Sequence, residues 1–291
     1  MKTSRREVLT GATGIALTGM SGVNITSSAN AAETTFAGIQ KGRIQQAACR
    51  WCYKKVPLET LCAHAQKIGL VGLDLVDAQD WPILIKYGLV STMTPSHGIS
   101  KGLNRIEHHE ECLAKIRMSI DQTSEAGFKN VICFSGNRDG MDDAEGQKNC
   151  AIALKQIVGY AEKKNVMVIM ELLNSKRNHK DYMCDRTHWG VELAKQVSSP
   201  AFGLLYDIYH MQIQEGDVIA TIKESHEYIA HYHTGGVPGR NEIEETQELY
   251  YPAIVKTIIN TGYKGYMAHE FIPKRQDALT SLDKAVALCD V

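Results

Sequence analysis

Four side chains able to hold a cation stand at or near the ends of four apolar runs. Glu171 follows Val168-Ile169-Met170, Asp207 follows Leu204-Leu205-Tyr206, His233 follows His231-Tyr232, and Glu270 follows Met267-Ala268-His269. Successive members are 36, 26 and 37 residues apart, about one repeating unit of the chain each time. Two glutamates, one aspartate and one imidazole form a hard, mostly oxygen donor set. Such a set suits Mg²⁺ or Mn²⁺, with Co²⁺ or Zn²⁺ as alternatives. Three carboxylates crowded together without a cation would repel, and some would keep their protons. Any one of these acids alone reads equally well as a helix cap or a solvated group; four at the same stage of successive units point to a site. His231 shares a strand face with His233 by the period of two, and His233 is preferred because it lies nearer the C-terminal end. His269 is out of phase with Glu270 and belongs to the opposite face. Asp77, His97 and His179 read as plain hydrogen-bonding groups.

The elements that must carry these residues alternate along the chain. Apolar runs that read as strands cover 46–52, 72–76, 89–93, 130–134, 166–171, 202–206, 229–233 and 265–270. Segments of helical period cover 58–68, 108–126, 145–164, 187–196, 218–224, 251–261 and 278–288. Strands that are hydrophobic throughout, alternating with helices, indicate a parallel sheet covered by helices. Eight such units without a long linker favour a single closed (β/α)₈ TIM barrel, in which equivalent strand ends converge at the C-terminal mouth. An open doubly wound sheet is the competing architecture. It usually carries a glycine-rich phosphate loop, and neither G-x-G-x-x-G after a strand nor G-x-x-x-x-G-K-[ST] occurs here.

The first thirty residues differ in character. Lys2, Arg5 and Arg6 form a basic head, a moderately apolar run follows from Val8 to about Ile25, and Ala29-Asn30-Ala31 supplies an A-x-A cleavage pattern. That order is the anatomy of a secretory signal. Ser4-Arg5-Arg6-Glu7-Val8-Leu9 resembles the twin-arginine export motif, a receptor-read address. The expectation is a cleaved signal over residues 1–31, a barrel over 32–291, and a periplasmic or otherwise exported protein with no stable membrane anchor. A frayed amphipathic N-terminal arm or a retained anchor is the alternative. With 32 basic against 33 acidic side chains, the charge balance gives no reason to expect nucleic acid as a partner. A small-molecule substrate, a hydroxy-keto acid or a ketose, is expected instead, and a homo-oligomer is left open. The pair Cys49-Arg50-Trp51-Cys52 lies in the run read as the first strand, where residues three apart point to opposite faces. Buried small side chains therefore fit it better than a redox couple or a zinc site.

Two more residues are placed for substrate. His210 follows Asp207 by three, and Arg240 ends Gly235-Gly236-Val237-Pro238-Gly239-Arg240, a flexible loop past His233. An arginine can hold a carboxylate through two parallel hydrogen bonds, although a solvated loop arginine fits the composition as well. At these residues the chain resembles the xylose-isomerase-like barrel superfamily and, within it, the hydroxypyruvate isomerase family. The resemblance covers residues 44–290 and rests on Glu171-Leu172-Leu173-Asn174, Tyr206 through Gln212 with Glu215-Gly216-Asp217, His231-Tyr232-His233, Val237-Pro238-Gly239-Arg240, and Gly262-Tyr263 to Glu270.

What the resemblance implies is a metal held by Glu171, Asp207, His233 and Glu270, with Glu171 and Glu270 doubling as catalytic proton carriers and His210 and Arg240 contacting substrate. The implied reaction interconverts hydroxypyruvate and tartronate semialdehyde through a cis-enediolate. Hydroxypyruvate isomerases often carry glutamine where this chain has His233. The related ketose 3-epimerases carry histidine followed by Thr-Gly, as in His233-Thr234-Gly235. The loop Thr94-Pro95-Ser96-His97-Gly98 also departs from the isomerase pattern. The alternative readings are a ketose 3-epimerase or keto-sugar lyase or dehydratase, a metal-dependent AP endonuclease, and a non-catalytic periplasmic binding protein for sugar acids.

Overall fold

Eight short strands run in one direction, each followed by chain that returns on the outside. The computed structural model describes residues 36–291, so the expected export signal lies outside the described residues. The strands are β1 (Gln45–Cys49), β2 (Gly72–Asp74), β3 (Val90–Met93), β4 (Asn130–Cys133), β5 (Met167–Leu172), β6 (Phe202–Asp207), β7 (Ile229–Thr234) and β8 (Tyr266–His269). They pair in parallel in the order β3-β2-β1-β8-β7-β6-β5-β4. A parallel bridge between Thr94 and Val131 joins the two ends of that order. There Thr94 N–H donates to the Asn130 carbonyl at 2.9 Å and Ile132 N–H to the Thr94 carbonyl at 3.0 Å. The sheet thus closes on itself as a (β/α)₈ barrel.

The helices are α1 (Leu58–Ile68), α2 (Trp81–Lys86), α3 (His109–Glu125), α4 (Asp143–Lys164), α5 (Thr187–Val197), α6 (Ile208–Gln214), α7 (Val218–Ser225), α8 (Tyr251–Asn260) and α9 (Ala278–Cys289). Local chemistry sets their ends. Asp142 caps α4 by accepting from the backbone N–H groups of Ala144 and Glu145, and Gly69 stops α1 in the left-handed region at φ 84°. Helices α2 and α6 were not among the expected helical segments. At 6 and 7 residues they are too short for a helical period to show. None of the described helices is long and apolar enough to cross a membrane.

Strand register decides what faces inward, because partners in a parallel ladder share a face of the sheet. The register matches Asp207 with His233, His233 with Ala268, Ala268 with Ala47, and Cys49 with Asp74. This face is the barrel interior, since Asp74 on β2 touches His231 and His233 on β7 across two intervening strands. The opposite face packs on helices: His269 bonds Gln46, and Gln46 donates to the Val286 carbonyl of α9. The first strand is shorter than expected. It stops at Cys49, and Arg50–Tyr53 form a 3₁₀ turn, so Cys52 has left the sheet.

Close approach near the floor of the site requires a glycine. A Cβ on Gly72 would come 2.1 Å from the Val90 carbonyl oxygen, which is backbone and cannot swing aside. Gly72→Ala should therefore cost about 2–3 kcal/mol and lower the thermal midpoint by roughly 5 °C. Gly159→Ala, in α4 with nothing within 4 Å of the added carbon, should leave the midpoint unchanged or raise it. Equal midpoints for the two variants would contradict this account.

Candidate metal centre

Glu171, Asp207, His233 and Glu270 come together inside the C-terminal mouth, each offering a ligand atom within 4.8 Å of the others. All four are buried. His233 is central: its Nδ1 lies 2.9 Å from Glu270 Oε2, 3.2 Å from Glu171 Oε1 and 3.9 Å from Asp207 Oδ2. Asp207 serves twice. One carboxylate oxygen caps α6 by accepting from His210 N–H at 2.9 Å, and the other is left to face His233. The cap therefore leaves the second oxygen free for the cluster, and the two readings of that residue do not compete. Glu270 stands one residue past β8 and is held by Trp51, whose indole N–H donates to Oε1 at 2.6 Å.

The described residues fit a divalent cation. Glu171 Oε1 and His233 Nδ1 are buried without a hydrogen-bond partner, and an unmet buried polar atom costs roughly 1–3 kcal/mol. A cation between them would satisfy both, and the donor set is the hard one that Mg²⁺ or Mn²⁺ prefers. The electrostatics show how strained the group is in carrying its own charge. Burial pushes the Asp207 carboxyl up to about 8, against the opposing pull of Arg240. Burial likewise raises Glu171, with His233 opposing. Burial would raise Glu270 too, but Arg240 and His233 outweigh it and hold that carboxyl well below the usual range. For His233, burial favours the neutral ring, yet Cys49, Glu270 and Asp74 together carry its pKa well above the ordinary value.

The two expected substrate residues flank this group. The Arg240 guanidinium makes a close ion pair with Glu270 Oε2 and lies 3.4 Å from Asp207 Oδ2. It sits between the rings of Trp51 and Tyr209, at 5.1 and 5.4 Å from their centroids. The expected flexible loop is instead an ordered turn. Arg240 N–H donates to the Gly236 carbonyl, Gly236 N–H to that of Asn241, and Ile272 N–H to that of Arg240, tying the turn to the chain beyond β8. His210 is buried, and its Nδ1 accepts from the backbone N–H of Asn174 at 3.2 Å. Its hydrogen must then be on Nε2, which has no partner and lies 3.7 Å from Asp207 Oδ2. Burial, then Arg240, holds this imidazole well below its ordinary pKa, so it is a neutral donor.

Other histidines fall elsewhere. His97 accepts from Phe134 N–H at 3.3 Å, away from the cluster. His179 packs edge-on against His210, with ring centroids 5.1 Å apart, where a plain hydrogen-bonding role was expected. Three neighbours of the cluster escaped the sequence reading. Asp74 accepts from His231 and His233, Cys49 Sγ lies 3.6 Å from His233 Nε2, and Trp51 holds Glu270. Only Asp74 left a trace that could have been followed, as an acid inside the apolar run 72–76.

A family profile described as xylose isomerase-like TIM barrel matches residues 82–288. The chain belongs to this family. Among curated proteins, this xylose isomerase-like barrel is similar to the putative hydroxypyruvate isomerase of Homo sapiens, at 26% identity over 121 residues, covering 42% of this chain and 44% of that protein. It is also similar to the 2-oxo-tetronate isomerase of Cupriavidus necator, at 32% identity over 114 residues, covering 39% and 43%. The matches span less than half the length of both relatives. The names agree with the resemblance read from the motifs. Among solved structures, AP endonuclease, family 2, from Brucella melitensis superposes with a TM-score of 0.72 at 20% identity, covering 82% of this chain and 97% of that one. At that identity the likeness is one of fold.

The raised Asp207 carboxyl would make uptake of a cation at this cluster sensitive to pH. With a pKa near 8 the group is protonated at pH 7, and a cation that uses it must displace the proton. Mn²⁺ affinity should therefore fall as pH drops below 8, with at least one proton released per ion at pH 7. Calorimetry in two buffers of different ionisation heat measures that release. Uptake without proton release would remove Asp207 from the ligand set.

Proposed function

We propose that this barrel is a metal-dependent isomerase that interconverts hydroxypyruvate and tartronate semialdehyde through a cis-enediolate. The observation that carries the reading is the meeting of Glu171, Asp207, His233 and Glu270 in one buried cluster, flanked by Arg240 and the free Nε2–H of His210. A bound divalent ion would polarise the substrate carbonyl and stabilise the negative charge that develops on oxygen. Glu171 and Glu270 are the two groups that can move a proton between adjacent carbons. One takes it from the hydroxyl-bearing carbon; delivery to the former carbonyl carbon, with the hydroxyl hydrogen passing from one oxygen to the other, completes the isomerisation. Arg240 can leave its ion pair to hold the substrate carboxylate, and His210 can donate to a substrate oxygen. Trp51 and Tyr209 pack beside Arg240, with ring centroids 5.1 and 5.4 Å from its guanidinium carbon, and put apolar surface next to the carboxylate group it would hold. Export is part of the proposal, supported by Arg5-Arg6 and Ala29-Asn30-Ala31.

A second reading, a ketose 3-epimerase, is favoured by His233-Thr234-Gly235. It uses the same residues for the same proton transfers on a longer substrate. A nuclease reading finds no support in the charge, 32 basic against 33 acidic side chains.

In deuterated buffer the purified protein with Mn²⁺ should convert hydroxypyruvate and place solvent deuterium on carbon. Glu171→Gln and Glu270→Gln should each slow this at least about 100-fold, and EDTA should abolish it until Mn²⁺ or Mg²⁺ is restored. Turnover of ketoses with none of hydroxypyruvate would replace the first reading by the second. Arg240→Met should raise KM for the keto acid much more than for a neutral ketose.

A further inference from the structure

Behind the metal-facing side of His233 lies a second buried carboxylate for which the proposed reaction has no use. Asp74 ends β2 and is fully buried. One of its oxygens, Oδ2, accepts from His231 Nε2 at 2.7 Å and from His233 Nε2 at 2.8 Å. The other, Oδ1, accepts from the Thr92 hydroxyl. The Cys49 thiol, 4.0 Å from Oδ2, supplies a weaker fourth contact. A carboxylate buried this deeply is costly unless donors surround it, and here every donor comes from a different inward-facing strand position.

The geometry divides the two nitrogens of His233 between two tasks. Nε2 points at Asp74, while Nδ1 points at Glu171, Asp207 and Glu270. A carboxylate only accepts, so the ring must keep a hydrogen on Nε2, and Nδ1 is the nitrogen left to present a lone pair once a cation is bound. We infer that Asp74 is a positioning residue for the metal centre: it holds His233 in the orientation and tautomer that present Nδ1 to the ion, with His231 and Thr92 fixing the carboxylate in turn. The inference rests on the metal reading of the four-residue cluster. Asp74 does not touch the ion or the substrate. Removing a carboxylate partner from a ligating histidine typically weakens metal binding 10–100-fold.

The test measures Mn²⁺ affinity by calorimetry and by the free-ion paramagnetic resonance signal, in wild type, Asp74→Asn and Thr92→Val. Thermal midpoints are taken in EDTA. Asp74→Asn should bind Mn²⁺ about 10–100-fold more weakly, and Thr92→Val should show a smaller loss in the same direction. A purely structural role would lower the midpoint and leave the affinity of the folded protein unchanged, which would overturn the proposal. Should Asp74→Asn fail to fold, Thr92→Val and the wild-type spectrum decide. In ¹⁵N-histidine spectra of Mg²⁺-loaded wild type, His233 should carry its hydrogen on Nε2, and a hydrogen on Nδ1 would refute the assignment. Absence of Mn²⁺ binding by wild type would overturn the metal reading itself, and the role of Asp74 with it.

Discussion

The structure is governed by the crowding of acids in a place that water does not screen. Glu171, Asp207 and Glu270 converge at the mouth of the barrel, with Asp74 just beneath, and all four are buried. Like charges at this spacing cannot all ionise unaided. The consequences are visible in each neighbour. Asp207 and Glu171 are pushed toward holding protons, Glu270 is kept ionised by Arg240, and His233 is driven toward carrying charge between Glu270 and Asp74. A divalent cation held by these residues would relieve the same repulsion, since its charge would offset that of all three carboxylates.

That arrangement depends on register more than on any one loop. Each of the four residues sits on or next to a strand whose partner aligns it with the next, so Asp207 and His233 are level across β6 and β7. Small inward residues such as Ala47, Gly72 and Ala268 line the strands between and leave room for two histidine rings and Asp74. The turn carrying Arg240 is then tied down by backbone hydrogen bonds and by aromatic rings on either side. The guanidinium placed there by the turn is a counter-charge for Glu270 and Asp207.

Much of this was legible in the chain itself. Strand-helix alternation at a steady interval points to a parallel barrel, since strands apolar throughout need burial on both faces, by the packed interior on one side and the connecting helices on the other. Once the barrel is granted, residues at equivalent strand ends must converge, and this brought Glu171, Asp207, His233 and Glu270 forward without any contact being known. The choice of His233 over His231 also followed from its place along the strand. The short helix α6 was not legible, because its formation depends on the Asp207 cap more than on a repeating apolar face.

What only the tertiary structure decided is which groups stand behind and beside the ligands. Asp74 lies 159 residues from His233 along the chain and three strands away around the barrel, with β1 and β8 between. No local pattern ties an acid in one strand to an imidazole in another. Trp51 reaches Glu270 across 219 residues, from a 3₁₀ turn that a continuous strand would have pointed elsewhere. Sequence periodicity reports which face of an element is buried. Barrel closure and strand register determine what each buried group meets there, because those contacts form between distant segments only after the sheet has joined its own ends.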